Sequence, residues 1–345
     1  MIRLVGDITD ASTHFAQVGL ASILEDAGVE KVRFFWEDGP SARAVVMWDG
    51  DADVGQIVKD HATRCCQEDS WVSQSVSVQG AKKVTGLGLF SPRITPRKTQ
   101  EESADWAERR RIALDTLPLT RVDRSMIGAL GEPAYWHRTL VSGDKDLEPD
   151  RGASRWDMMA RNRGDNFVPH GLRKYAAVVA DRTPQAIVDG LTGDALVDES
   201  DKGNHMTPLG FRNRSPMDTA TAWCMLWGIS ATTLVPRPAS DTASKGMSQT
   251  SGADNRSKVH PTRLTLPVFR KPTSISRWSG VLRSRAWDSV VGMDNMSALS
   301  PVVLAQLNGM GVFHAIQFET EVAGSASAPE RRLKGGVVVG ISHDW

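Results

Sequence analysis

The fold is decided by residues 2–48, IRLVGDITDASTHFAQVGLASILEDAGVEKVRFFWEDGPSARAVVMW. Ile2 to Val5 is a short apolar run that predicts a β-strand. Thr9 or Asp10 can then cap a helix, since either side chain can accept a hydrogen bond from the first helical turn. Gly28 is the residue type that ends helices in a left-handed conformation. The apolar residues between these two ends have helical spacing: Phe15, Val18, Leu20, Ile23, Leu24 and Ala27.

The second half of this stretch predicts a β-hairpin. Residues 31–36 and 42–48 are strand-like, and the turn sequence Asp38-Gly39-Pro40 stands between them. Asp53 then begins a second helical pattern, and residues 71–78 alternate again. The order is therefore β-α-β-β-α-β, the ferredoxin-like or split βαβ unit of RRM and RAMP proteins. We predict an α+β protein in which this unit, a common platform for single-stranded RNA, spans residues 1–98.

The rest of the chain divides by composition. Residues 99–237 carry several apolar patterns at helical spacing and predict a mainly helical insertion. Residues 238–262 are rich in Ser, Thr, Gly and Asp with few apolar residues, so we expect a mobile polar loop. Residues 263–345 contain three strand-like runs and predict a basic, β-rich region that packs with the N-terminal unit.

Bulk composition limits the class of protein. The chain has 345 residues, 41 basic and 41 acidic side chains, and three cysteines. Zero net charge argues against a free-standing DNA-binding protein, because such proteins usually carry a basic excess. The odd cysteine count argues against a disulfide framework, and neither a leader peptide nor a membrane-spanning apolar run is visible. We therefore expect a cytoplasmic protein without a membrane partner.

Positive charge is concentrated between residues 255 and 287, where no Asp or Glu occurs. Phe269, Trp278 and Trp287 are interleaved with the cations. Nucleic-acid binding requires this mixture, since cations neutralise phosphates and aromatic rings stack on bases. The alternative is a solvated surface over buried aromatic rings. The candidate nucleic-acid contacts are Arg256, Lys258, Arg263, Arg270, Lys271, Arg277, Trp278, Arg283 and Arg285.

Two weaker candidates add to this set. A glycine-bearing segment combines Gly86 and Gly88, which allow a close backbone approach to phosphate, with nearby cations; its candidate residues are Lys82, Lys83, Gly86, Gly88 and Arg93. A plain hairpin turn explains the same segment. Two polar turns each contain a pair of arginines: Arg161 and Arg163, and Arg212 and Arg214. Arginine side chains suit phosphate or carboxylate ligands, but intramolecular salt bridges explain these pairs equally well.

Catalytic motifs are not found in the sequence. It contains no HExxH, CxxC, P-loop or GxSxG pattern. Residues 49–53 are similar to a calcium loop, but Val54 stands where that loop requires glycine, so an acidic turn and helix cap is the better interpretation. His14 beside Phe15 favours a core or capping histidine. We therefore predict a binding protein with no catalytic residues, no metal and no cofactor.

The opening residues carry a family resemblance. Residues 6–10, GDITD, lead into residues 14–21, HFAQVGLA. This resembles the N-terminus of a small-subunit family of type I-G (formerly I-U) CRISPR effector complexes, which are Cascade-like. In that family a first strand leads into a helix with a phenylalanine and a CCGL-like stretch; here residues 17–20, QVGL, take that place without the paired cysteines. Residues 162–193 and 223–230 look like actinobacterial members, so the resemblance covers about half of the chain.

The resemblance implies a non-catalytic subunit of an RNA-guided antiviral surveillance complex, in contact with crRNA, target DNA or both, and with neighbouring subunits. In such complexes base pairing reads the sequence while protein subunits hold the backbone. No residue-level motif comes with the family, so the candidate site rests on charge. Two alternatives stay open. One is a metal-assisted nuclease or guide-RNA processing enzyme with His14 or residues 49–53 in its site, and the other is a structural protein-interaction subunit without nucleic-acid contact.

Overall fold

The chain is a mixed α and β protein whose described part contains ten α-helices and several antiparallel sheets. The computed structural model describes residues 1–39, 42–79, 84–90, 100–130, 136–137, 148–149, 167–199, 216–232, 244–245, 248–251, 260–293, 299–325 and 328–341. Of the predicted site residues, nine lie outside these ranges: Lys82, Lys83, Arg93, Arg161, Arg163, Arg212, Arg214, Arg256 and Lys258.

The N-terminal elements follow the local signals in the sequence. They are β1 (Ile2–Arg3), α1 (Ala11–Asp26), β2 (Arg33–Trp36), β3 (Ala44–Met47) and α2 (Val54–Cys66). Asp10 caps α1 by accepting a hydrogen bond from the backbone N–H of Ser12 at 3.0 Å, and Asp53 does the same for Gln56 at the start of α2. Gly28 follows α1 with a φ of 81°, the left-handed conformation that glycine adopts without strain.

The first three strands form an antiparallel sheet in the order β1-β3-β2. A fourth strand of a ferredoxin-like sheet would pair with β1. The next strand, β4 (Ser75–Gln79), instead pairs with β5 (Val84–Gly88) in a separate two-stranded sheet. Just beyond β1, the backbone N–H of Val5 donates to the carbonyl of Leu191 in a later helix at 2.9 Å. The ferredoxin-like arrangement is therefore not confirmed, although three of its strands have the expected order.

The middle of the chain is mainly helical where it is described. It contains α3 (Gln100–Thr116), α4 (Arg121–Leu130), the short pair β6 (Trp136–His137) and β7 (Glu148–Pro149), α5 (Arg173–Asp181), α6 (Pro184–Thr192) and α7 (Thr219–Trp227). A π-helical turn, Phe167–Leu172, precedes α5, and a 3-10 turn, Gly228–Ala231, follows α7. Thr183 caps α6 by accepting a hydrogen bond from the backbone N–H of Ala186, and Pro184 occupies the first turn, where its missing N–H costs no hydrogen bond.

The C-terminal region contains strands, as the sequence predicts, and also three helices that the sequence does not predict. Its strands are β8 (Ser244–Lys245), β9 (Ser248–Ser251), β10 (His260–Val268), β11 (His314–Ser325), β12 (Ala328–Leu333) and β13 (Val337–Gly340), which form one six-stranded sheet. Three helices interrupt it: α8 (Ile275–Leu282), α9 (Arg285–Gly292) and α10 (Pro301–Gly309). Ser274, Ser284 and Ser300 cap these helices, so each begins at a serine that satisfies its first turn.

The expected mobile loop over residues 238–262 is also corrected in part. Its described residues belong to strands, since β9 pairs with β10 and β8 pairs with β9. Polar residues suit edge positions of an antiparallel sheet, where one face is open to solvent. The other residues of this range lie outside the described part of the chain.

Helix α1 occupies the centre of the molecule. Fourteen of its sixteen residues are buried. On one side the amide of Gln17 donates to the carbonyl oxygens of Phe35 at 2.7 Å and Val45 at 3.1 Å, which ties α1 to the first sheet. On the other side α1 packs closely on α7, because a Cβ at Gly19 would lie 1.8 Å from the carbonyl oxygen of Cys224.

The C-terminal region extends the N-terminal sheet. The backbone groups of Phe34 in β2 exchange two hydrogen bonds with Thr273, both of 2.9 Å, and the N–H of Trp36 donates to Phe269 at 2.8 Å. The segment after β10 therefore lies along the outer edge of β2. One hydrophobic cluster accordingly runs from Ile2 to Ile341.

Candidate functional site

The aromatic residues of the predicted basic segment belong to the core. Trp278 is 3% exposed, Phe269 1% and Trp287 0%. Buried rings cannot stack on bases, so the assignment of Trp278 to nucleic-acid contact is wrong and the alternative interpretation, buried aromatics beneath a charged surface, holds. The physical reason is amphipathicity: Trp278 lies on the face of α8 that also buries Ile275, Val281 and Leu282.

Two of the predicted cations are engaged inside the protein. The guanidinium of Arg263 donates to the carbonyl oxygen of Met293 at 2.6 Å. Arg270 pairs with Asp38 at 2.8 Å and lies over the ring of Phe313 at 3.8 Å from its centroid. Both arginines therefore have structural roles, and part of the predicted charge is already neutralised.

The remaining described cations of the segment are exposed, but they occupy different places. Lys271, Arg277, Arg283 and Arg285 are all at the surface. Arg277 lies beside the turn at Gly311. A Cβ atom added to Gly311 would be 3.5 Å from Nη1 of Arg277. Arg283, at the end of α8, lines a cleft on which neither Arg277 nor Arg285 borders. Gly86 and Gly88 lie within strand β5 and pair with residues of β4, so they are strand residues and do not form the plain hairpin turn that the sequence also allowed.

The cleft is the feature that brings basic residues together. Its volume is about 780 Å³, and its walls come from four elements: the end of α1, the helix α4, the 3-10 turn after α7, and α8. Arg283 lines it together with Arg121 and Arg124 of α4. Neither Arg121 nor Arg124 forms an ion pair within 4.0 Å with any residue that the structure describes, and both are exposed. Arg121 and Arg124 therefore place exposed positive charge along the α4 wall of the cleft.

A buried polar network holds α1, α2 and α4 in position beside the cleft. Asp123 of α4 is 1% exposed and accepts hydrogen bonds from Arg64, from the indole N–H of Trp71 at 2.9 Å and from the backbone N–H of Thr120 at 3.0 Å. The Arg64 guanidinium holds the pKa of Asp123 below its usual range, although burial opposes this. Because a buried carboxylate with this many donors is strongly oriented, α4 has a fixed place against α2.

Arg64 also links this network to the wall of the cleft. It donates to Asp26, the last residue of α1, at 3.3 Å, and the other oxygen of Asp26 accepts from the backbone N–H of Val122 at 3.2 Å. The acceptor groups of Asp26 are thereby used within the protein. The neighbouring Glu25 also lines the cleft, but its carboxylate makes no hydrogen bond and no ion pair within 4.0 Å with a described residue.

The charge environment of Glu25 follows from its position. Burial raises the pKa of Glu25, while the positive charges of Arg121 and Arg33 act in the opposite direction. The group is half-buried, so solvent still screens part of these interactions. Hydroxyl groups complete the wall: Ser279 donates to Ala231 at 2.6 Å and Ser230 to Trp227 at 2.7 Å, whereas Ser125 and Ser276 are exposed.

Sequence reasoning missed Arg121, Arg124 and Glu25. Arg121 and Arg124 stand three apart in the sequence TRVDRS, which gives them a common side of a helix. That spacing was available as a signal, but two arginines with an aspartate between them do not stand out in a neutral chain. Only the approach of α8 to α4 makes them part of one surface with Arg283.

The positions considered for a nuclease do not form a catalytic arrangement. His14 is buried, its Nε2 lies 2.8 Å from the carbonyl oxygen of Ile8, and its ring packs at 4.5 Å from that of Trp36. Burial lowers the pKa of His14 to about 4. Asp49 pairs with Lys31 at 2.7 Å, and Asp53 caps α2. Among the described residues, no three His, Cys, Asp or Glu side chains are grouped so that they could hold a metal ion.

A second buried histidine lies away from the cleft. His61 of α2 packs against Trp227 at 4.4 Å and Trp223 at 5.5 Å between ring centroids. Neither of its ring nitrogens has a hydrogen-bond partner among the described residues. Burial, reinforced by the charge of Arg64, lowers the pKa of His61 to about 3.

Comparison with known proteins does not assign the chain to a family. No protein-family model matches the chain, and no curated protein matches it closely enough to count as a relative. Within the described residues, no helix is both long enough and apolar enough to cross a membrane.

Proposed function

We propose that this chain is a non-catalytic, nucleic-acid-binding subunit of a CRISPR RNA-guided surveillance complex, and that it holds a phosphate backbone in the cleft between α1, α4 and α8. The observation that carries the binding role is the convergence of Arg121, Arg124 and Arg283 on one cleft. Their guanidinium groups come from elements about 160 residues apart in the sequence, and arginine forks match phosphate oxygens in shape and charge.

The membership in such a complex rests on the resemblance of residues 6–21 to small subunits of type I-G systems. The strand order β1-β3-β2 supports a sheet derived from a ferredoxin-like unit. The partners would be crRNA or target DNA together with neighbouring subunits, in the cytoplasm and as part of antiviral defence. Overall neutrality is compatible with this role, since only one surface of such a subunit needs to meet a polyanion.

A salt titration tests the binding role. We expect single-stranded RNA to bind the wild-type protein with an affinity that falls as salt rises, because binding releases condensed counterions. Replacing the three cleft arginines (R121Q, R124Q and R283Q) leaves up to three phosphates without a cation. The slope of log K against log salt should then decrease by roughly 0.7 for each phosphate that is no longer neutralised, or about 2 in total.

The matched control replaces three exposed cations that do not line the cleft: K31Q, R109Q and R173Q. It removes the same net charge, so an effect of net charge alone would appear equally in both variants. If the control lowers the slope as much as the cleft variant does, the cleft is not the binding surface. Equal thermal unfolding of the two variants establishes that the comparison is between folded proteins.

A protein-interaction role without nucleic acid is the second candidate, and one observation favours it. Strand β13 lies at an edge of its sheet, and its Val337 and Val338 are 64% and 39% exposed. Exposed apolar edge strands are surfaces on which another strand can pair. Recovery of the same partner subunits from cell extract with and without nuclease treatment, combined with no RNA binding by the pure protein, would favour this candidate over the first.

A further inference from the structure

We propose that the cleft accepts a guanine base next to the bound phosphate, and that Glu25 recognises it. This rests on the proposed function, because the same cleft and the same arginines are involved. Glu25 lines the cleft as a half-buried carboxylate, and no described residue gives it a hydrogen bond or a close ion pair. The adjacent Asp26, in contrast, has its acceptors satisfied by Arg64 and Val122.

The Glu25 carboxylate in this cleft makes the binding of a phosphate less favourable. It repels the phosphate that Arg121, Arg124 and Arg283 attract, and it loses part of its own hydration. The repulsion is offset only if the ligand also brings N–H donors to the carboxylate. Burial raises the pKa of Glu25, and the positive charges of Arg121 and Arg33 act against that rise. In the ionised form both oxygens of Glu25 are acceptors.

The arrangement of donors on the bases selects guanine. An ionised carboxylate accepts two parallel hydrogen bonds most strongly when two N–H donors stand side by side. On the Watson–Crick edge, guanine presents N1–H beside the N2 amino group. Adenine and cytosine place an acceptor nitrogen beside their amino group, and uracil places carbonyl oxygens on both sides of its N–H. The cleft volume of about 780 Å³ is within the usual range for small-ligand sites and accommodates a nucleotide.

The test uses short single-stranded RNAs that are uridine throughout except for one central guanosine, inosine, cytidine or adenosine. Inosine is guanosine without the N2 amino group, so the two probes differ by one donor. In anisotropy titrations at fixed salt, we expect the wild-type protein to prefer the guanosine probe to the inosine probe by about tenfold, the effect of one hydrogen bond to a charged group. The cytidine and adenosine probes should bind no better than the inosine probe.

The variant E25Q should lose preference for guanosine but bind RNA without guanosine more tightly. Its guanosine-to-inosine ratio should fall to about twofold or less, because the amide offers one acceptor in place of two. Its affinity for the uridine-only RNA should rise, because a negative charge has left the cleft. A misfolded variant cannot bind one RNA better and another worse. The control E30Q removes an exposed carboxylate outside the cleft and should leave the ratio at the wild-type value.

Competition separates a strand from a free nucleotide. If guanosine monophosphate displaces the guanosine probe as well as an unlabelled strand does, the ligand is a free nucleotide with the same base chemistry. An unchanged guanosine-to-inosine ratio in E25Q, with the salt slope of the cleft retained, overturns the guanine assignment and leaves the proposed function standing. If the wild-type protein binds none of the RNAs, both proposals fail.

Discussion

At the scale of single residues, buried histidines make the stability of the protein depend on pH. In the unfolded chain both titrate near 6.5, whereas in the folded protein the pKa is about 4 for His14 and about 3 for His61. Well above pH 6.5 both states hold these rings neutral, so the two histidines add no pH dependence there. As the pH falls below 6.5, the unfolded chain binds protons that the folded chain does not, and stability decreases until the folded pKa values are reached.

We expect the free energy of unfolding to drop between pH 7 and pH 5 by about 2 kcal/mol for each of these histidines, from the 1.36 kcal/mol that one pKa unit represents. Urea denaturation at several pH values measures this. H61L should reduce this drop by about 2 kcal/mol, the contribution of one such histidine, whatever its effect at neutral pH. A pH dependence in H61L equal to that of the wild-type protein would mean that His61 is not protonated on unfolding as described.

At the scale of elements, the contact between α1 and α7 depends on two glycines. A Cβ at Gly19 would meet the carbonyl oxygen of Cys224 at 1.8 Å, and one at Gly228 would meet that of Phe15 at 2.4 Å. Backbone atoms cannot move aside as a flexible side chain can, so the helices would have to separate. We expect G19A to destabilise the protein by about 3 kcal/mol or more, the upper part of the range for overpacked cores.

The control for this substitution is G128A. Gly128 lies within α4, and a Cβ there would meet no atom within 4 Å. Alanine is favoured over glycine inside helices by roughly 0.5–1 kcal/mol, so this variant should be slightly more stable than the wild-type protein. Thermal denaturation measures the stability of both variants relative to the wild-type protein. Equal effects in G19A and G128A would show that the close approach of α1 and α7 is not required.

The elements themselves were largely predictable from the sequence, because their signals are local. Asp10, Gly28 and the Thr183-Pro184 pair mark helix ends through hydrogen bonds and dihedral angles within a few residues. Helices α8, α9 and α10 are not predicted although Ser274, Ser284 and Ser300 stand at their N-termini, because helices of eight or nine residues are too short for a helical period to be recognised. The pairing of β4 with β5 could not be predicted, because alternation identifies a strand but not its partner.

At the scale of the whole molecule, the N-terminal unit depends on distant parts of the chain. Residues 269–273 lie along the edge of β2, and α7 covers the side of α1 opposite the sheet. A fragment of residues 1–98 lacks both and would expose the apolar surface of α1. We therefore expect it not to fold cooperatively, as measured by urea denaturation and by the dispersion of its amide proton resonances. A cooperative transition in this fragment would show that the unit is an independent domain.

The candidate site is predictable only in part, because it too depends on contacts between residues that are far apart in the sequence. Arg283 was singled out by local charge density, while Glu25, Arg121 and Arg124 come from elements that have no such signal. Their proximity depends on the Arg64 and Asp123 network and on the docking of α8, both of which join residues far apart in sequence. Composition therefore indicates that a basic surface exists, but only tertiary structure defines which residues form it.

The complete burial of α1 has a consequence for synthesis in the cell. This helix leaves the ribosome about 200 residues before α7, and at ordinary elongation rates of roughly 5–20 residues per second the delay is about 10–40 s. During that interval a helix that is buried on nearly all sides in the folded protein lacks the cover that α7 later provides. Nascent chains of this protein should therefore require chaperone protection from the first tens of residues onward, and slower translation between α1 and α7 would lengthen their exposure.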